Sequence, residues 1–257
     1  MLFRQMLREH LFLVLGYQVL LAVNIAAAIA YWPELRENIE TIPAVMKLIP
    51  SETLRNMVFM LEEQGYWAYF GIQQLFKGGG VAAMVAAAIL GSLLVAREAD
   101  NRTAEFLFSR PISRSRLFLV RWGTGMLFVQ LPFVITTVGA WAASGLVDET
   151  LPFWMVMTAQ LHLSLFVAAV FTVAATLSTF AEHQLKPALI VIGLMLLQLA
   201  IYMVKDLWDL SLYKTIDLDR LLPIEVGIYP WASAIGFVAV TLLSLGTAIW
   251  KINRRDF

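Results

Sequence analysis

Six long apolar runs dominate this chain and leave few folds open to it. They occupy residues 11–31, 71–96, 117–147, 153–180, 187–204 and 230–250. A helix crosses the hydrocarbon core of a bilayer with roughly 20 mostly apolar residues, and each run reaches or nearly reaches that length. The third and fourth exceed it, which predicts tilt or extension into water. The second is interrupted near its start by Lys77, just before Gly78-Gly79-Gly80. With 60% apolar residues and a mean hydropathy of +0.73, the chain carries more apolar surface than one soluble core of 257 residues can hide. The expected fold class is therefore an all-α integral membrane protein, one transmembrane domain over residues 1–257 with six spanning helices.

The first run follows a basic stretch, residues 1–10, and ends in small residues, Ala26 to Ala30. A secretory signal has a core of only about 7–15 apolar residues. This run is longer, so it reads as the first anchor. There is no cysteine, which excludes disulfides and thiolate metal sites.

Six spans put both termini on one side. That side holds twelve of the nineteen Lys and Arg residues: Arg4, Arg8, Arg97, Arg102, Arg110, Arg114, Arg116, Arg121, Lys186, Lys251, Arg254 and Arg255. The other side holds the remaining seven, Arg36, Lys47, Arg55, Lys77, Lys205, Lys214 and Arg220, with thirteen of the nineteen acidic residues. Cytoplasmic loops carry the Lys/Arg excess. Both termini and the 97–116 loop are therefore expected in the cytoplasm. The membrane itself is expected to be a bacterial cytoplasmic membrane. Loop 145–152, which has no Lys or Arg, agrees.

Two connections lie outside in this scheme. Residues 32–70 are acidic and contain Pro33, Pro43 and Pro50. Ser51-Glu52-Thr53-Leu54 starts like a helix cap, and Leu54, Met57, Val58 and Leu61 keep helical spacing. An amphipathic outer helix is expected there, as a lid or a partner-binding element. Residues 205–229 form a second acidic loop.

Mid-span charge is nearly absent in this reading; Arg121, near the inner end of the third span, is the exception. Proton-coupled carriers depend on such groups, so that class is disfavoured. Among the polar residues within spans, Gln18, Asn24, Gln130, Thr136 and His162 are candidates for lining a substrate path. Packing between helices is the plainer role for them. Ala22, Ala26 and Ala30, and again Ala83, Ala87 and Gly91, form small-residue stripes that let helices approach closely.

The densest charge lies between the second and third spans. Arg97, Glu98, Arg102, Thr103, Glu105, Phe106, Leu107, Phe108, Arg110, Pro111, Ser113 and Arg114 all fall within eighteen residues. Residues 103–109 are compatible with about two helical turns, which are not stable alone in water. They must pack against something, through Ala104, Leu107 and Phe108. Pro111 stops that helix, and Ser113 can cap the next. Topology and lipid headgroup contact would account for the arginines alone, but not for the order of the other residues.

That order resembles the first cytoplasmic loop of ABC-2 type transporter permeases. Glu98, Thr103, Glu105, Phe106, Leu107, Pro111, Ser113 and Arg114 fit the family pattern, and Arg102 stands where the family usually has glycine. The ending Asn253-Arg254-Arg255-Asp256-Phe257 and a short amphipathic N-terminal segment, Met1–His10, are also similar to that family's. The resemblance implies that the loop is a coupling helix docked on a separate ABC ATPase. It also implies a second permease subunit, identical or related, and an exporter of a lipid, peptide or antibiotic. ATP and Mg would be bound by the partner. This chain has no Gly-x-x-x-x-Gly-Lys-Ser/Thr phosphate loop, so no cofactor is expected on it.

Other classes fit less well. Glu62-Glu63 resembles the glutamate pair of a membrane protease family, but Trp67 occupies the place of its arginine. There is no His-Glu-x-x-His, and Ser144 has no evident base. No catalytic residue is expected. Met46, Met57 and Met60 read as an apolar face, not soft-metal ligands. Nothing forms a basic nucleic-acid surface. A non-transporting scaffold and an importer subunit are the remaining alternatives.

Overall fold

The computed structural model describes residues 2–38, 52–100, 113–204 and 206–254. Among these, all regular structure is helical. Six helical runs are long and apolar enough to cross a membrane: Met6–Glu37, Arg55–Ser92, Arg114–Val147, Phe153–Ser178, Leu185–Tyr202 and Trp231–Arg254.

Helix α1 (Leu2–Glu37) is followed by α2 (Glu52–Phe70), a π-helical segment (Gly71–Ala83) and α3 (Met84–Ser92). A short α4 (Ala96–Asp100) precedes the insert. Then come α5 (Arg114–Ala143), α6 (Phe153–Ser178), α7 (Leu185–Tyr202), the single turn α8 (Leu218–Leu221) and α9 (Trp231–Arg254).

α2 breaks at Gly65, whose φ of 54° and ψ of −129° lie outside helical geometry. Only a residue without a Cβ takes that conformation cheaply. The part before the break is amphipathic: Met57 and Leu61 are buried, while Glu62 and Glu63 are exposed. The part after it continues into the apolar run at 71–96. Lys77, counted with the outer residues in the tally of charge, lies inside that run and inside Arg55–Ser92, a helical run long and apolar enough to cross a membrane.

The segment Gly71–Ala83 is a thirteen-residue π-helix. π-Helices are rare and usually last a single turn, often at functional sites. This one is wedged at the centre of the bundle. A Cβ on Gly79 would fall 2.5 Å from Phe133 Cζ and 3.2 Å from Leu163 Cβ. Only glycine lets the wide backbone sit so close to both α5 and α6. Further in, a Cβ on Gly91 would lie 2.6 Å from the Phe171 carbonyl oxygen and 2.9 Å from Ala174 Cβ. The stripe Ala83, Ala87 and Gly91 thus seats α3 on α6. The other stripe, Ala22, Ala26 and Ala30, is exposed.

Burial follows this arrangement. In the apolar 18-residue stretch of each helix, 72% of the second and 67% of the fourth is buried, against 39% of the third, 28% of the first and fifth and 17% of the last. The second and fourth spans form the core, and the first, fifth and last form the rim.

One end of the bundle gathers the start of α1, the flanks of the insert and the end of α9. Arg97 Nη1 lies 3.2 Å from Glu9 Oε2, and Ser115 Oγ donates to Asn253 Oδ1 at 2.9 Å. At the far end, Trp32 Nε1 donates to Glu149 Oε1 at 2.9 Å, and the Tyr66 and Ser144 hydroxyls are hydrogen-bonded at 2.8 Å. The second acidic loop folds back at this end as a plug of short helical turns. Its Tyr213, Ile216, Leu218 and Leu221 are buried among the spans.

Candidate functional site

Three groups of residues matter: the flanks of the insert, the polar side chains between spans, and the far-end plug.

The insert itself, residues 101–112, lies outside the described residues. Arg102, Thr103, Glu105, Phe106, Leu107, Phe108, Arg110 and Pro111 all fall there. Its flanks are described, and they are tied down. On the leading side, α4 holds Arg97, paired with Glu9 of α1, and the backbone of Glu98. Asp100 closes α4, its Oδ1 3.1 Å from His183 Nδ1 in the turn between α6 and α7. Asp100 Oδ2 also accepts from the Gln184 backbone N–H at 3.4 Å. The hydrogen bond from His183, backed by that N–H, holds the Asp100 carboxyl below its ordinary range. On the trailing side, Ser113 has extended backbone and its Oγ accepts from the Arg116 N–H at 3.3 Å. This is the N-cap of α5, and it starts the helix at Arg114. Within that first turn, Ser115 is bonded to Asn253 of α9. The two ends of the insert are thus fastened to α1, to the α6–α7 turn and to α9.

Between the spans, most polar residues are occupied with one another. Gln74 Nε2 donates to Thr137 Oγ1 at 2.8 Å, and Thr137 Oγ1 donates to Gln160 Oε1 at 2.6 Å. Gln160 Nε2 in turn donates to Ser164 Oγ at 3.2 Å, and Gln130 Nε2 to the Ser164 carbonyl at 2.9 Å. This interior ladder joins the π-segment, α5 and α6. Gln18 Nε2 donates to Thr136 Oγ1 at 2.9 Å, stitching α1 to α5. His162 is fully buried, and its Nε2 donates to the Thr215 carbonyl of the plug at 2.9 Å. Of the five path candidates, Gln18, Gln130, Thr136 and His162 therefore make contacts that hold elements together.

Asn24 differs. It is exposed, and its Nδ2 donates to the Gln73 carbonyl at 3.4 Å. Four residues on, Lys77 is also exposed, and its Nζ donates to Gln73 Oε1 at 2.8 Å. Lys77 is the sole charged residue between Glu63 and Arg97. Sequence reasoning placed it outside the membrane and passed over Gln73 and Gln74. The signal was present: a lysine beside three glycines inside a run otherwise long enough to span.

At the far end, Lys214 Nζ lies 3.1 Å from Asp217 Oδ2 and is also paired with Asp219. Its ammonium sits 4.0 Å above the Trp208 ring. Asp217 is buried, and that burial pushes its carboxyl up to about 6 despite the neighbouring ammonium. An apolar groove of about 520 Å³ opens nearby between α6 and α9, lined by Leu161, Leu165, Tyr229, Trp231, Ile235 and Val238 among others. No group of three or more His, Cys, Asp or Glu residues suited to a metal ion occurs among the described residues.

A family model described as ABC-2 family transporter protein matches residues 3–257. No curated protein and no solved structure matches the chain. That match spans nearly the whole chain, and six helices able to cross a membrane accompany it; the chain belongs to the ABC-2 transporter family and is a multi-pass membrane permease of an ABC transporter.

Proposed function

We propose that this permease exports a hydrophobic or amphipathic substrate, driven by a separate ATPase that docks on residues 97–116 at the cytoplasmic face. Members of the family normally work with ABC ATPase partners. The observation that carries the reading is the fastening of the insert. A loop that only marked topology would need no anchors. Here Arg97–Glu9, Asp100–His183 and Ser115–Asn253 tie its two ends to three other parts of the bundle. A push on the insert reaches α3 through α4, reaches α5 directly, and reaches α1 and α9 through these contacts. The twelve-to-seven division of Lys and Arg supports the cytoplasmic placement of this end.

In this mechanism ATP and Mg are bound by the partner, and its closure moves the insert. Phe106 is the aromatic anchor. Glu105 and Arg114 supply charges complementary to the partner. A second permease subunit, identical or related, completes the path.

The test is co-purification of the ATPase with the intact chain and its variants. Phe106→Ala removes an anchor of a kind whose truncation costs on the order of 2 kcal/mol in interfaces. Glu105→Arg reverses a charge, which suppresses association. Both variants are expected to insert normally and to lose most of the bound ATPase. Wild-type complex yield and hydrolysis in both would reduce the insert to a topology signal and favour a non-transporting scaffold.

A further inference from the structure

Lys77 is costly where it stands. On α1, Asn24 sits eight residues, about 12 Å, from Trp32 along the helix axis. Trp32 lies at the far end, where it donates to Glu149 and where Arg36 pairs with the same carboxylate; charges of this kind stay at the polar boundary of a bilayer. Asn24 bonds the Gln73 backbone, and Lys77 lies a further turn inward, up to about 6 Å deeper. The lysine is therefore about 12–18 Å below that charged end, near the middle of a hydrocarbon core of about 30 Å. A lysine stem is too short to carry its ammonium there. Among the described residues no carboxylate pairs with it.

Charges at this depth almost always face a bundle interior or a water-filled cavity. In this single chain Lys77 faces outward, beside the exposed Asn24 and the half-buried Gln73. Ala27, three residues on from Asn24 and on the same side of α1, is exposed as well. The donors exceed the acceptors at this spot. Gln73 Oε1 already accepts from Lys77, and that bond uses one of three ammonium protons. The π-helical backbone that carries both residues is itself unusual.

We propose that Lys77, with Gln73 and Asn24, forms a water-accessible anion site at mid-membrane, on the outward face where α1 meets the π-helical segment. It recognises the carboxylate or phosphate of an amphipathic substrate. This rests on the transporter reading and narrows the substrate class to anionic amphiphiles.

The chain has no cysteine, so a single introduced thiol reports the site directly. Asn24→Cys, and independently Ala27→Cys, are made in the full complex in native membranes. Each is reacted with an anionic and a cationic methanethiosulfonate reagent of similar size. With Lys77 present, both reagents are expected to react and the anionic one to be favoured. Lys77→Gln lowers the anionic-to-cationic rate ratio about tenfold, the effect of one charge a few ångströms away in a partly polar site; Lys77→Arg keeps it. If neither reporter reacts, the face is sealed in lipid or protein and the proposal fails. A ratio that Lys77→Gln leaves unchanged also overturns it. Retention of the ATPase is scored in the same preparations. A charge-dependent ratio in a chain that binds no ATPase would leave an anion site without transport, and the substrate assignment would fall with the transporter reading.

Discussion

The core spans and the first span use the same residue types to opposite ends. In the second and fourth spans, Gly91 lies against the Phe171 carbonyl, and Gln74 and Gln160 meet across Thr137. Small and polar residues there are spent on packing. In α1, the alanines at 22, 26 and 30 lie on exposed surface, and so, on another side of the helix, does the amide of Asn24, bonded to the residue that holds Lys77. Two lysines repeat the contrast. Lys214 is held by Asp217 and Asp219 over Trp208, whereas Lys77 has an amide partner and no carboxylate among the described residues. A polar or small residue in a membrane helix therefore carries no fixed meaning. Its role depends on whether a neighbouring helix already occupies it.

The largest effect expected is on the small residues. Gly91→Val should push α3 off α6, because the atom it would strike is backbone and cannot rotate away. Overpacking of this kind costs about 3 kcal/mol. Ala26→Val, on exposed surface, should leave the isolated chain's stability unchanged. Denaturation in mixed micelles compares them, and equal losses would erase the distinction between core and rim.

Next comes the far-end ionic knot. Burial raises the Asp217 carboxyl from 3.8 to about 6, so the fold favours its protonated form. That stabilisation is fully present below about pH 4 and is lost as pH rises through about 6. Lys214 stays charged across this window, its own value being raised; Asp219 and Tyr202 are the other groups facing Asp217. Hydrogen exchange over residues 206–226 should show the plug loosening by on the order of 2 kcal/mol between pH 4 and 7. Asp217→Asn should flatten that profile. A wild-type profile already flat would mean that Asp217 titrates normally.

The smallest effect separates two amides. Gln160→Leu breaks the interior ladder and should cost about 1 kcal/mol, as interhelical hydrogen bonds in membranes do. Asn24→Leu should cost the isolated chain close to nothing. A cost at Asn24 equal to that at Gln160 would show it to be part of the packing.

Much of the architecture was legible without coordinates. Apolar runs near bilayer length announced six helices, because a backbone in lipid must bond within itself. The charged insert stood out between two of them, and Ser113 was readable as the cap of α5. His162 was readable as a packing histidine, though not its partner, the Thr215 carbonyl, fifty-three residues away. Lys77 lies inside the second apolar run, yet it looks like an edge residue when only hydropathy is weighed.

The residues of the chain by themselves determined the solvent, the number of crossings and the segment most unlike lipid. These depend on length and transfer free energy, which are local sums over consecutive residues. Tertiary structure decided which helices are core and which are rim, that three glycines sit in a π-helix against Phe133 and Ile216, and that Gln18 and Gln130 are bonded between helices while Lys77 is exposed and bonded only within its own. Those outcomes depend on which faces meet. Pairing of faces is a property of distant segments brought together, and no window of sequence contains it.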